Sequence, residues 1–147
     1  MVDVKAAQHI LDTSPFGPWW GFRVVTVSPG HAELRLPARA ELFRPGGILQ
    51  GGCAMTLADV AFWIAVITRI GPDEPAVTLG QTSTFLHAAR TDLVCTADLR
   101  KSGRSLLYGT AEVFDAAGTL VAHHTLTYLR TGHVAASGRD RRPIVTS

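Results

Sequence analysis

Apolar and polar side chains alternate along several short stretches of this chain, and one long stretch between them is apolar on nearly every side. In residues 31–37 every second side chain is apolar, which is the pattern of a half-buried β-strand. The β-rich run 19–28 precedes it, and Pro29 and Gly30 lie between the two runs. Together they predict a β-hairpin.

Residues 53–70 predict a long helix that must be wrapped on most sides, because its apolar side chains cover every face. Residues 4–12 predict a short amphipathic helix, and the polar, Gly-rich segment 38–52 leads into the long one. Four further runs are typical of strands: 76–86, 92–101, 105–114 and 119–130. Runs of strands without alternating helices predict an antiparallel sheet, the α+β class, and a sheet that curls around the long helix.

The composition favours one folded domain. Of the 147 residues, 46% are apolar and 18% are charged, which is enough apolar material for a core. We expect a single domain over residues 1–131 and a disordered tail over residues 132–147, whose sequence has little to bury. The net charge of +2 is small and sits largely in the arginines of that tail, so we expect no nucleic-acid partner.

The chain is expected to be cytoplasmic, with no membrane partner. Residues 1–12 lack the basic region and apolar core of a secretory signal. Two cysteines, Cys53 and Cys95, do not make a disulfide framework. The longest apolar stretch, 53–67, is short for a membrane span and carries Asp59 near its middle, where a bilayer would disfavour it.

Asp59 is the main candidate for chemistry. The helix dipole stabilises a carboxylate only in the first helical turn, and Asp59 lies beyond that turn. Its i−4, i+3 and i+4 neighbours are Met55, Phe62 and Trp63. A carboxylate in such apolar surroundings is a candidate general base. Two structural interpretations remain open: a solvated edge of the helix, or an ion pair with an arginine across an oligomer interface.

A glycine-rich loop stands immediately before the long helix. Free N–H groups at a helix N-terminus favour negative charge, so an acyl carbonyl held at Gly51 and Gly52 would have its oxyanion stabilised there. The alternative is a plain loop-to-helix turn. Cys53 is a weaker, nucleophilic candidate, because no His or Asp stands beside it. His123 and His124 would point to opposite faces of a strand, so no metal site is predicted.

Residues 44–65 resemble the signature of hotdog-fold thioesterases of the phenylacetate-pathway (PaaI-like) family. In that family a loop of the form N-x-x-G-x-x-H-G-G precedes a helix containing L-x-D, and the matching residues here are Gly47, Gly51, Gly52, Leu57 and Asp59. The similarity extends over roughly residues 20–130 and includes the final run that ends in Thr127 and Tyr128. It implies the hotdog fold, an antiparallel sheet of about six strands wrapped around one long central helix.

The resemblance also implies hydrolysis of an acyl-CoA in a homodimer or homotetramer, without a metal or cofactor. Asp59 would act as general base or nucleophile from across the dimer interface, the Gly51 N–H would polarise the thioester carbonyl, and Thr78 would place the water or the carboxylate. By position in the family's loop, Gln50 is also expected among the catalytic residues. Substrate contacts are implied for the residues Arg44, Gly52, Gly80, Phe85, Lys101, Ser102, Gly103, Arg104 and Ser105. Lys101 and Arg104 suit the phosphates of CoA, and the alternative for this pair is an ordinary charged hairpin turn.

The chain departs from the family pattern at two loop positions. The family's Asn falls at Arg44 and its His at Gln50, which can donate a hydrogen bond but cannot shuttle a proton. Two alternatives to hydrolysis therefore stay open, an acyl-CoA binding module without turnover and, ranked lower, a hotdog enoyl thioester hydratase or dehydratase. The acyl group is expected to be aromatic or medium-chain, because five large side chains could line a pocket: Trp19, Trp20, Phe43, Phe62 and Trp63. Equally, all five could belong to the core or to dimer packing.

Overall fold

The computed structural model describes residues 1–132 and contains three α-helices, one 3-10 helix (Ala40–Leu42) and eight strands in that part of the chain. The α-helices are α1 (Val4–Thr13), α2 (Gly17–Trp20) and α3 (Gly51–Ile70). The strands are β1 (Arg23–Ser28), β2 (His31–Leu36), β3 (Phe43–Arg44), β4 (Ile48–Leu49), β5 (Ala76–Phe85), β6 (Leu93–Ser102), β7 (Leu106–Phe114) and β8 (Leu120–Arg130). Apart from Gly132, the expected disordered tail lies outside the described residues.

Six of the strands form one antiparallel sheet in the order β1-β2-β6-β7-β8-β5, and this sheet wraps around α3. The two remaining strands, β3 and β4, pair with each other as a small hairpin just before α3. The predicted α+β class and the predicted hotdog arrangement of about six strands around one helix are confirmed. Because β1 and β5 are the outer strands, each leaves one row of backbone groups unpaired by the sheet.

Helix α3 is the centre of the core. Eleven of its twenty residues are buried, and they include large side chains such as Leu57, Phe62 and Ile64. The helix is also long and apolar enough to cross a membrane by these criteria alone, with a mean hydropathy of 1.7 in its most apolar window, but 61% of that window is buried inside the fold. Burial of this extent is expected of a core helix that a sheet wraps.

Close packing of α3 on the sheet depends on a glycine in β7. A Cβ at Gly109 would lie 2.3 Å from the ring of Phe62 and 2.2 Å from the carbonyl oxygen of Asp98, closer than real contacts allow. The missing side chain therefore lets Phe62 lie directly against the sheet. There its ring packs edge-on against Tyr128 of β8, with 4.9 Å between ring centroids.

The predicted strand over residues 19–28 is wrong at its start, because Trp19 and Trp20 belong to α2. Pro18 stands in the first turn of that helix, and Gly21 ends it with a left-handed φ of 76°. The guanidinium of Arg39 donates to the carbonyl oxygens of both tryptophans and lies 4.5 Å above the Trp19 ring. These contacts hold the aromatic pair in a helical turn that alternation of side chains did not predict.

Strand β5 is an exposed edge with apolar side chains on it. Val77 is 49% exposed and Leu79 is 57% exposed, and Met55 on the neighbouring face of α3 is 41% exposed. A long apolar edge strand that pairs on one side only is a surface that proteins usually cover. Strand β5 also carries Thr78, so this exposed edge adjoins the carboxylate of Asp59.

Candidate active site

The Asp59 carboxylate is held by two hydroxyl groups that approach the same oxygen. Thr78 donates to Oδ1 over 3.1 Å, and Tyr128 donates to Oδ1 over 2.7 Å. The Tyr128 hydroxyl also lies 2.8 Å from the backbone carbonyl oxygen of Asp59. Among the hydrogen bonds of residues 1–132, none involves Asp59 Oδ2. Within residues 1–132 the partly buried Asp59 carboxylate has hydroxyl partners and no arginine partner. An ion pair with an arginine across an oligomer interface stays an open interpretation.

The sheet brings the two donors together because Thr78 on β5 and Tyr128 on β8 are directly opposed in the antiparallel pairing. Opposed residues on one face of such a pair have neighbouring Cβ atoms, so both side chains can converge on one group. The register shifts immediately after Thr78, between it and Gly80. A bulge of this kind re-aims side chains at the end of a regular ladder.

Tyr128 is a site residue to which the sequence analysis assigned no role. It is buried, and its ring rests against Phe62, so it has little freedom to turn away from Asp59. Burial, and then the neighbouring Asp59 carboxylate, raise the pKa of Tyr128 far above its usual value, so its hydroxyl remains a donor. A signal was present in the sequence: the inward positions of the last strand include His124 and Tyr128, polar groups on a face that is otherwise apolar.

A cavity of about 290 Å³ opens beside Asp59, and most of its lining is apolar or aromatic. Trp63 contributes from α3, and Phe16 contributes from the turn before α2, with 6.2 Å between the two ring centroids. The rest of the lining consists of Val60, Ala76, Val77, Thr78 and Tyr128. Phe16 was missed because only the packing of the N-terminal helices brings it to the carboxylate.

Of the five large side chains proposed for an acyl pocket, only Trp63 lines this cavity. Phe62 is fully buried in the core, against Tyr128. Trp19 and Trp20 pack on each other in α2, and Phe43 is a partly buried residue that packs against the core. Phe62 is therefore a core residue, and the partly buried side chains of this set that pack against the core are Trp20, Phe43 and Trp63. Trp63 also lines the cavity, and its contact with an acyl group stays a prediction.

The N-terminus of α3 forms a second polar cluster. Gln50 is the N-cap of the helix, and its side-chain oxygen accepts a hydrogen bond from the Gly52 N–H over 3.3 Å. The Gly51 N–H has no acceptor among the described residues. The Phe85 ring lies 3.3 Å from the place that a Gly51 Cβ would take, so backbone and ring are in contact there. Gly51 thus offers a free donor at the positive end of the helix dipole.

This cluster borders a cavity of about 410 Å³, whose lining includes Arg44, Gln50, Gly51 and Phe85. The predicted loop residues therefore lie together, but they do not lie beside Asp59 of the same chain. Gly51 and Asp59 are eight positions apart on one straight helix, a rise of about 12 Å. One chain presents the two halves of the predicted site as separate clusters.

The predicted phosphate turn lies at the Asp59 end of the sheet. Its charged residues Lys101 and Arg104 are exposed, as is Ser102, while Gly103 and Ser105 are partly buried. Arg130 at the end of β8 donates to the Gly103 carbonyl over 3.1 Å and pairs with Glu74, which fixes the turn beside the start of β5. Gly80 lies on exposed β5, just past the bulge.

Cys53 does not have the surroundings of a nucleophile. It is buried in the core, and its thiol lies 3.7 Å from the Leu42 carbonyl oxygen. Burial raises the pKa of Cys53, which disfavours the reactive thiolate. This environment agrees with the prediction that Cys53 is a weaker candidate for the catalytic nucleophile than Asp59.

An antiparallel sheet wrapped around one long helix is the hotdog fold. The chain belongs to the Thioesterase superfamily, whose family model matches residues 46–122. It is a hotdog-fold hydrolase of thioesters.

Individual relatives agree with this assignment. The 1,4-dihydroxy-2-naphthoyl-CoA hydrolase of Listeria monocytogenes is 31% identical over 86 residues, which are 58% of this chain and 70% of that protein. A conserved protein of Pseudomonas aeruginosa is 30% identical, with a TM-score of 0.77 over 82% of this chain and 97% of its own. The PaaI protein of the E. coli phenylacetic acid degradation operon shares the fold at 21% identity, with a TM-score of 0.78 over 86% and 91% of the two chains.

Proposed function

We propose that this protein hydrolyses an aromatic or medium-chain acyl-CoA to the free acid and CoA, with Asp59 as the carboxylate that acts on the thioester. The observation that carries the proposal is the Asp59 carboxylate itself, fixed through one oxygen by Thr78 and Tyr128 at the wall of an aromatic cavity. Its other oxygen, Oδ2, has no partner in the described chain, so it is available for chemistry.

As a general base, Asp59 takes a proton from a water molecule while the water oxygen attacks the thioester carbonyl carbon. The carbonyl oxygen becomes an oxyanion, and the tetrahedral intermediate collapses with loss of the CoA sulfur, which receives the proton from Asp59. As a nucleophile, Asp59 would instead attack the carbonyl carbon itself, release CoA thiolate and leave a mixed anhydride that water hydrolyses. The same Oδ2 serves both routes.

The free Gly51 N–H supports the role of oxyanion donor, because a backbone donor at a helix N-terminus is preorganised for negative charge. The separation of about 12 Å along α3 means that Gly51 and Asp59 of one chain cannot act on one carbonyl. We therefore propose a homodimer, or a dimer of such dimers, in which Gly51 from one copy completes the site at Asp59 of the other. The exposed apolar edge of β5 is the surface we assign to that pairing.

The cavity beside Asp59 supports an apolar acyl group. Phe16 and Trp63 provide aromatic walls, and the cavity of about 290 Å³ holds no charged side chain except Asp59 among its described lining. The name of the Listeria relative, a hydrolase of an aromatic acyl-CoA, is consistent with that choice. For the CoA portion, the exposed cations Lys101 and Arg104 stand at the same end of the sheet and suit phosphate groups.

Replacement of Asp59 by Asn tests the proposal. The substitution keeps the shape and an oxygen for Thr78 and Tyr128 but removes the basic oxygen, so kcat should fall by about 10²–10⁴-fold with the melting temperature nearly unchanged. A thiol-release assay over a panel of aryl-CoA and medium-chain acyl-CoA substrates measures hydrolysis, and thermal unfolding on the same sample measures the fold.

Adding an enoyl-CoA to the panel separates the rival functions. Hydration would remove the absorbance of an enoyl-CoA without freeing thiol, and a binding module would retain acyl-CoA and release nothing. A folded Asp59→Asn protein with near wild-type turnover of its best substrate would refute the assigned role of Asp59.

A further inference from the structure

The two oxygens of the Asp59 carboxylate have different surroundings. Oδ1 accepts from Thr78 and from Tyr128, whereas no hydrogen bond of residues 1–132 uses Oδ2. An oxygen that accepts two hydrogen bonds has its negative charge stabilised and is the poorer base. The difference between the two oxygens is therefore chemical as well as geometric.

The two donors are not equivalent. Thr78 is exposed on the edge strand, so water can replace its hydroxyl at little cost. Tyr128 is only 2% exposed, and its hydroxyl contacts both Oδ1 and the backbone carbonyl of Asp59, at 2.7 Å and 2.8 Å. Water cannot take the place of that buried hydroxyl without a cavity to hold it. Tyr128 therefore provides the durable restraint on the carboxylate.

The restraint is built from the core outward. Gly109 leaves room for Phe62 against the sheet, the Phe62 ring packs edge-on against Tyr128, and Tyr128 meets Asp59 one helical turn before Phe62. The positions of Phe62 and Tyr128 are thus determined by core packing that forms when the chain folds. A carboxylate fixed this way pays little to adopt the orientation that the reaction needs.

We infer that Tyr128 is a positioning residue that holds Asp59 through Oδ1 and thereby makes Oδ2 the reacting oxygen. The inference rests on the proposed role of Asp59. It assigns a task to a side chain outside the segment matched by the family model, which ends at residue 122. Tyr128 also lines the cavity proposed for the acyl group, but in this assignment its hydroxyl contributes to the reaction through Asp59.

Tyr128→Phe tests the inference, because it removes one oxygen atom and keeps the ring against Phe62. We expect kcat to fall by about 10- to 100-fold, the effect of losing a hydrogen bond to a charged group, while KM stays within about twofold. A split of this kind between kcat and KM is the readout that a merely structural role of Tyr128 would not produce.

The matched control is Tyr108→Phe, which removes the hydroxyl of the chain's other tyrosine, on β7 and 42% exposed. It should leave kcat and KM at their wild-type values. The double variant Asp59→Asn/Tyr128→Phe should be no slower than Asp59→Asn alone, since a residue that acts through Asp59 has nothing left to position.

The outcomes are distinct. An inactive Asp59→Asn protein beside a Tyr128→Phe protein with normal kcat and normal KM would overturn the inference and leave the proposed function intact. Active Asp59→Asn protein would remove the proposed function itself. A further loss in the double variant would contradict the inference by showing that Tyr128 acts independently of Asp59.

Discussion

His124 and Tyr128 both lie on the inward face of β8, with Leu126 between them, and both are buried. Tyr128 donates to a carboxylate, whereas His124 is fully buried with Nδ1 2.8 Å from the Ser83 hydroxyl and with Nε2 unpartnered among the described residues. The Gln81 amide, which donates to the Met55 carbonyl, also lies 3.3 Å from Nδ1. Among the described residues, the buried ring therefore has polar neighbours at Nδ1 alone.

This environment makes stability depend on pH in a predictable direction. Burial, with a smaller effect from His123, lowers the pKa of His124 to about 4. Between that value and the ordinary value near 6.5, the unfolded chain binds more protons than the folded chain, so the free energy of unfolding rises with pH. The contribution of His124 is complete above about pH 6.5 and is lost as pH falls toward 4, up to about 3 kcal/mol.

Urea unfolding at a series of pH values from 7 to 4 would measure this effect. His124→Leu should flatten the pH dependence of the unfolding free energy in that range, whatever its effect on stability at pH 7. His123→Gln is the matched control, because His123 is the adjacent, partly exposed ring that points to the other face. Equal slopes for wild type and His124→Leu would show that His124 does not carry the effect.

At the scale of elements, the start of α3 allows the oxyanion donor to be removed alone. Gly51 is the first residue of the helix, a position where proline is tolerated because its N–H has no helical acceptor. The preceding residue, Gln50, has φ −69° and ψ 147°, the extended conformation that a following proline favours. Gly51→Pro therefore deletes the proposed donor with little disturbance of the backbone.

We expect Gly51→Pro to lower kcat by about 10²–10³-fold, as losing one oxyanion-hole donor does elsewhere. Gly51→Ala is the matched control, because it retains the N–H while it adds a Cβ against the same Phe85 ring. Steady-state thiol release measures kcat of both proteins, and thermal unfolding shows whether both are folded. If Gly51→Ala is as slow as Gly51→Pro, then crowding at Phe85 is responsible and the donor is not.

The elements of this fold were largely predictable, while the partners of Asp59 were not. Periodicity predicted α3 because an apolar run of that length, apolar on every face, is typical of a helix buried on most sides. It also predicted the bounds of the four later strands within a residue or two. Asp59 and Tyr128, by contrast, are 69 positions apart and meet only through the order of strands in the sheet. Phe16 reaches the cavity through α2, where two aromatic residues that favour strands form a helical turn instead.

At the scale of the whole molecule, the separation of Gly51 and Asp59 makes the proposed dimer testable by mixing. Asp59→Asn and Gly51→Pro homodimers each lack one group in every site. A mixed dimer, however, contains one site with both substitutions and one site with neither, so co-expression should restore about a quarter of wild-type activity. Each variant alone supplies the baseline.

Sedimentation of the same samples provides the physical check. A stable monomer of 15.7 kDa at micromolar concentration would contradict the shared site. So would a mixed sample no more active than the average of its two components.

The wall that Phe16 forms beside Asp59 is carried by a part of the chain distinct from the part that carries the proposed chemistry. Asp59 and Gly51 lie within residues 46–122, the portion shared with the superfamily, whereas Phe16 lies before it, in a segment fastened by Arg39 to the backbone of α2. Changes in the N-terminal segment can therefore alter the width of the acyl cavity while the helix, its cap and its carboxylate stay as they are. Related proteins can in this way differ in the acyl groups that they accept while they retain the same catalytic groups.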